Sequence, residues 1–159
     1  MKQSIAYGME KTGMPFIVLN CEGKQMLFLL DTGSSENHLM AYTYVYFKEH
    51  FPEVIADKTT ETPIVTSGVS GTFESKACSF CFAIESHPYK ELFLIMPHQQ
   101  VFANFSEQLG VPVGGILGSR FLRKYGIIID YKKKVVYTKG NWWRKLGFRK
   151  KQKEKKIER

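Results

Sequence analysis

Residues able to do chemistry are few in this 159-residue chain, and most can be set aside by spacing alone. His38, His50, His87 and His98 share no metal-ligand spacing, and no nucleophile pattern lies beside them. Ser34 and Ser35 lack the Gly-x-Ser-x-Gly setting of a hydrolase serine. Cys78 and Cys81 stand three apart with no second Cys or His pair to complete a zinc site. On a strand, positions three apart face opposite sides, which disfavours a local disulfide. The three cysteines, Cys21 included, therefore read as reduced, partly buried thiols. Asp130 falls at a strand-to-turn step and reads as structural. What remains is Asp31. Five apolar residues, Met26-Leu27-Phe28-Leu29-Leu30, run directly into it, and Thr32-Gly33-Ser34-Ser35 follow. A carboxylate delivered to the mouth of an apolar core is costly unless hydrogen bonds or a second titrating group share the charge. Its plainest role is a turn residue accepting backbone N–H groups; its sharper role is catalytic.

The unbroken apolar run predicts a strand buried on both faces and ending at Asp31. Pro15–Cys21 is a second apolar run, joined to the first by a turn at Glu22-Gly23-Lys24, so the two read as a β-hairpin. Residues 3–9 read as a short strand. After the Asp31 loop, a helix is expected from about Leu39 to His50. Lys58–Pro63 is polar and reads as a connection. Ile64–Glu74, with Gly68 and Gly71 between β-branched and aromatic residues, reads as a hairpin. A long strand over Thr72–Glu85, a turn at His87-Pro88-Tyr89 and a returning strand over Leu92–Met96 follow. Val101–Leu109 reads as a short helix stopped by Gly110 and Pro112. A strand should end at Gly118, and two helical turns should carry Phe121 and Leu122 inward before Gly126. Ile127–Tyr131 and Val135–Tyr137 form a last hairpin over Lys132-Lys133-Lys134. There is no internal repeat.

Two of these stretches carry a resemblance. The apolar run into Asp31-Thr32-Gly33-Ser34-Ser35 resembles the active-site loop of aspartic proteases, and Ile116-Leu117-Gly118 resembles their downstream apolar-apolar-Gly step. Loop, glycine-bearing hairpin and apolar-apolar-Gly occur in the family's order over about Pro15 to Tyr137. With one such loop in a chain of this length, the chain is similar to the single-lobe, retropepsin-like branch rather than to two-lobed pepsins. The expected fold is all-β, mostly strands with short helices, in a closed retropepsin-like barrel at residues 1–138.

The resemblance implies an aspartic endopeptidase. Its second carboxylate would come from Asp31 of another copy, so a homodimer is expected, with an extended peptide as substrate and no cofactor or metal. Thr32 would hydrogen-bond across the dimer axis. Gly33 would let the backbone pass close to the carboxylate and aim its N–H there. Ser34 would reach an outer carboxylate oxygen and favour a lower working pH. Ser67, Gly68, Val69, Ser70 and Gly71 would form the tip of a flap closing over substrate, where an ordinary hairpin is the plainer reading. Ile116, Leu117 and Gly118 would thread beside the loop. The segments around Ala41–His50 and Val101–Gly110 depart from the family and would affect the cleft or the dimer contacts. The alternative, from another class, is a catalytically silent retropepsin-like module that dimerises or binds peptide.

The net charge of +8 belongs to the last residues. Residues 1–138 balance thirteen Lys/Arg against thirteen Asp/Glu; residues 139–159 carry ten Lys/Arg against Glu154 and Glu158. The basic strength of the chain therefore says nothing about the domain. This tail, with Trp142 and Trp143, reads either as a solvated end whose tryptophans pack back on the domain or as an arm for an anionic membrane surface or a nucleic acid. With no signal-peptide-like stretch and no window of transmembrane length, a cytoplasmic setting is expected.

Overall fold

A computed structural model describes residues 1–59, 64–68 and 71–138. The chain runs β1 (Lys2–Ser4), α1 (Ala6–Thr12), β2 (Phe16–Cys21), β3 (Lys24–Asp31), β4 (His38–Met40), α2 (Ala41–His50), a 3₁₀ turn (Pro52–Val54) and β5 (Ile55–Lys58). It continues β6 (Ile64–Gly68), β7 (Gly71–Ser75), β8 (Ala77–Ile84), β9 (His87–Met96), α3 (Gln100–Leu109), β10 (Val113–Gly118), α4 (Ser119–Lys124), β11 (Ile127–Asp130) and β12 (Val135–Thr138). The architecture is mostly β. Six strands in the order β2-β3-β10-β4-β9-β8 close into a barrel through the pairing of Asn20 with Ala83, and β5 lies along the outer edge of β8.

The apolar run of β3 is buried on both faces, as expected. Phe28 and Leu30 enter the barrel interior with Ile17, Leu19, Phe80, Phe93 and Leu117. Leu29 points the other way, into an outer cluster with Phe16, Met40, Phe102, Leu109, Val113 and Ile116. Strand alternation sends neighbouring side chains to opposite faces, and α3 supplies the cover that makes the outer face apolar. Phe28 also explains Gly114-Gly115. A Cβ on Gly115 would come 2.5 Å from the Phe28 ring and 2.2 Å from the His38 carbonyl, and the β3–β10 register shifts between Val113 and Gly115 to fit.

The structure corrects the sequence reading in four places. Residues 3–9 are not one strand: β1 stops at Ser4 and α1 begins at Ala6. Ile5 and Gly8, three apart, are both buried with Met9 alongside, which is a helical face. Gly8 lies against Met14 and Phe16, and Gly13 ends the helix at φ +76°. Leu39 belongs to β4 rather than to a helix, because β4 is held between β10 and β9. The expected Thr72–Glu85 strand breaks at Lys76, where β7, paired with β6, gives way to β8, paired with β9 and β5. The turn after β8 falls at Glu85-Ser86, with Glu85 at φ +54°, and not at His87-Pro88-Tyr89. Pro88 is tolerated inside β9 because that end of the strand has β8 on one side only, β4 joining at Leu94–Met96.

The terminal hairpin β11–β12 forms as expected, and β1 joins it to make a three-stranded sheet, β1-β12-β11. Residues 139–159, and with them the tail, lie outside the described residues, as do Val69 and Ser70 of the expected flap tip. Among the described residues no helix is long and apolar enough to cross a membrane.

Candidate active site

Asp31 is the last residue of β3 and lies directly beside Gly118, the last residue of β10, in a parallel pair. The chain leaves β3 at Asp31, loops through Thr32–Asn37 and returns as β4 on the opposite side of β10. One strand thus passes between the two ends of the loop. This is the threading expected of Ile116-Leu117-Gly118. Ile116 pairs with Leu29 on one side and His38 on the other, and Leu117 pairs with Leu30.

Backbone contacts pin the loop. The Gly33 N–H donates to Asp31 Oδ1 at 2.8 Å, and Ser34 N–H donates to the Asp31 carbonyl at 3.3 Å. Ser119 N–H reaches the Ser34 carbonyl at 2.7 Å and Arg120 N–H the Ser35 carbonyl at 3.3 Å. Only glycine fits at 118: a Cβ there would stand 2.2 Å from the Glu36 carbonyl oxygen and 2.9 Å from that of Ser34. Asp31 is half-buried, while Thr32 and Gly33 are exposed at the loop's tip. The Ser34 hydroxyl departs from expectation. It donates to the Glu36 carbonyl at 2.8 Å instead of reaching the carboxylate, so it closes the loop and gives no ground for a lowered working pH.

Three features here escaped the sequence reading. Asn37, buried, accepts from Gly118 N–H at 3.0 Å through Oδ1 and donates through Nδ2 to the Leu92 carbonyl at 3.2 Å. Its own carbonyl accepts from Leu94 N–H at 2.9 Å. Glu36 forms an ion pair with Arg120 at 2.7 Å on the outside of the loop. His38, which spacing had set aside, is buried next in line, and its Nδ1 finds no hydrogen-bond partner among the described residues. Burial holds its pKa below the ordinary 6.5, against the opposite pull of the Glu36 and Asp31 carboxylates.

The other candidates keep structural roles. Asp130 Oδ1 accepts from Lys133 N–H at 2.9 Å and shapes the turn before β12. All three cysteines are free. Burial pushes the Cys21 and Cys78 thiols up to about 12, far from a reactive thiolate, and Cys21 donates to the Cys81 carbonyl at 3.1 Å. Among the described residues no three His, Cys, Asp or Glu side chains gather closely enough to hold a metal ion. The hairpin β6–β7 forms with Ser67 opposite Thr72 and Gly68 opposite Gly71, as a sheet of its own. Two apolar grooves, of about 630 and 370 Å³, meet at Pro112. The smaller lies at the Gln25–Leu27 end of β3, the far end from Asp31, and the larger between Met40–Tyr42 and α3.

The arrangement presents a carboxylate fixed through one oxygen on an exposed loop tip, at the mouth of an apolar barrel. Against models of known protein families and against curated proteins, the chain matches none.

Proposed function

We propose that the chain is a retropepsin-like aspartic endopeptidase that works as a homodimer, with Asp31 of each copy forming one dyad. The observation that carries this reading is the pairing of Asp31 with Gly118 at the ends of parallel strands, with Gly33 N–H on the carboxylate. That geometry holds a carboxylate at a surface tip, where a second copy can bring its own within hydrogen-bond distance. Exposed Thr32 suits a contact across such an axis.

Two carboxylates that close share one proton, because both cannot ionise together. The ionised one takes a proton from a water molecule while the protonated one gives its proton to the scissile carbonyl oxygen. The resulting tetrahedral diol collapses as the carboxyl that took the water proton gives it to the amine nitrogen, the other carboxylate takes a proton from a diol hydroxyl, and the C–N bond breaks, restoring one shared proton. No covalent enzyme intermediate and no metal is required. The substrate would lie extended and add its backbone to strand edges under the hairpin β6–β7, the flap of this reading. Residues 139–159 would supply an anion-binding arm for a membrane surface or a nucleic acid, in a cytoplasmic setting.

The test is Asp31→Asn, assayed on an unfolded protein substrate and by sedimentation. The proposal expects cleavage by the wild type, none by the variant, and dimers of both. Strictly monomeric wild type that still cleaves would overturn the shared dyad. Dimers that cleave nothing would leave the silent peptide-binding module in its place.

A further inference from the structure

Asn37 does more than end a loop. It is a buried polar side chain with both ends of its carboxamide engaged, each on a strand far away in sequence. Oδ1 accepts from the N–H of Gly118, the residue paired with Asp31. Nδ2 donates to the carbonyl of Leu92, and the Asn37 carbonyl accepts from Leu94, so β9 is held by two bonds. The carboxamide therefore joins the return arm of the loop, the strand that threads it and the neighbouring strand of the barrel.

We infer that Asn37 is a positioning residue for Asp31, fixing through Gly118 the place and orientation of the carboxylate that Gly33 N–H holds. The chain of contacts is short. Asn37 sets Gly118, Gly118 sits beside Asp31, and the Ser34 and Ser35 carbonyls are held by Ser119 and Arg120, the next two residues. Removing the carboxamide leaves the buried Gly118 N–H without its partner and takes a donor from the partly buried Leu92 carbonyl. Water can reach the Leu92 carbonyl, whereas Gly118 N–H regains a partner by a shift of β10 against β3. Serine or threonine could not span both partners, whereas a protonated aspartate keeps the acceptor for Gly118 and a donor for Leu92, and an ionised one sets a buried charge against the Leu92 carbonyl oxygen. Only the kinetic part of this inference rests on the peptidase reading.

The experiment uses the full chain with Asn37→Ala and Asn37→Asp. Because Gly33 N–H donates to Asp31 Oδ1, the Gly33 amide shift followed across pH reports the carboxylate without any need for cleavage. Asn37→Ala should displace that titration, and Asn37→Asp should keep the Gly33 amide at its wild-type position at low pH, where the carboxyl is protonated. In peptide cleavage, Asn37→Ala should lower kcat by about 10²-fold with KM within about threefold, the signature of misplacement rather than lost binding. Asn37→Asp should recover most of that loss at acidic pH, where its carboxyl is protonated, and lose it again as that carboxyl ionises. A Gly33 titration and kcat both unchanged in Asn37→Ala would overturn the inference. Should the wild type cleave nothing, the peptidase reading falls and the Gly33 titration still decides the positioning role. Should Asn37→Ala not fold, amide exchange in the wild type decides. Gly118 N–H should exchange only on global unfolding, and rapid exchange there would overturn the inference.

Discussion

The Asp31 loop and the β6–β7 hairpin invert the usual expectation about order. Between Asp31 and His38 the chain has almost no regular structure, yet its backbone and the Asn37 side chain are bonded to β10, to β9 and to the first residues of α4. The strands β6 (Ile64–Gly68) and β7 (Gly71–Ser75) are regular, and among the described residues their ladder pairing is with each other. Regular hydrogen bonding thus does not measure how firmly a segment is tied to the core. Local opening follows the bonds and packing that cross to other elements, and by that measure the irregular loop is firmly fixed.

The strongest way to break the comparison is to force the loop off its strand. Gly118→Ala places a methyl group 2.2 Å from the Glu36 carbonyl, with backbone on both sides unable to yield. It should destabilise the fold by about 3 kcal/mol, measured as the shift in denaturant midpoint at constant slope. A loss near zero would mean that the loop yields readily.

Next comes pH. The folded-state pKa of His38 lies below its ordinary 6.5, mainly through burial. Above that value both folded and unfolded chains hold a neutral imidazole. As the pH falls below 6.5 the unfolded chain takes up a proton that the fold refuses, so stability declines until the folded pKa is passed. Thermal melts from pH 8 to pH 5 should show this decline, and His38→Leu should reduce it.

Smaller effects sharpen the contrast. The Glu36–Arg120 pair is exposed on the arginine side, 70% by side chain, so Arg120→Ala should cost less than about 1 kcal/mol. Val65, 60% exposed on the hairpin, should tolerate serine within about 0.5 kcal/mol. A large loss at Val65 in chemical unfolding would show the hairpin packed to the core and erase the distinction.

Much of the barrel was legible because its signals are local. The two-sided apolar run of β3, the glycines closing α3 and preceding β11, and the apolar step into Gly118 each act within a few residues. The misses are long-range. β4 is three residues long and is a strand only because β10 and β9 flank it. α1 hid behind a glycine whose value lies in close packing on Phe16. Asn37 reads locally as one more polar loop residue. Its partners, Gly118 and Leu92, lie 81 and 55 positions away, and no periodicity announces them. The buried stretch Asn37-His38-Leu39-Met40 offered the one hint, two polar residues leading into apolar ones right after a turn.

The central claim, one dyad shared by two chains, is tested most directly by mixing wild type with Asp31→Asn at fixed total concentration and following peptide cleavage after subunits re-equilibrate. A dyad built from two copies predicts that an equal mixture keeps about a quarter of the wild-type rate, since only homodimers of intact chains carry both carboxylates. A rate of about a half, falling linearly with the wild-type fraction, would show that each chain acts alone and would contradict the account.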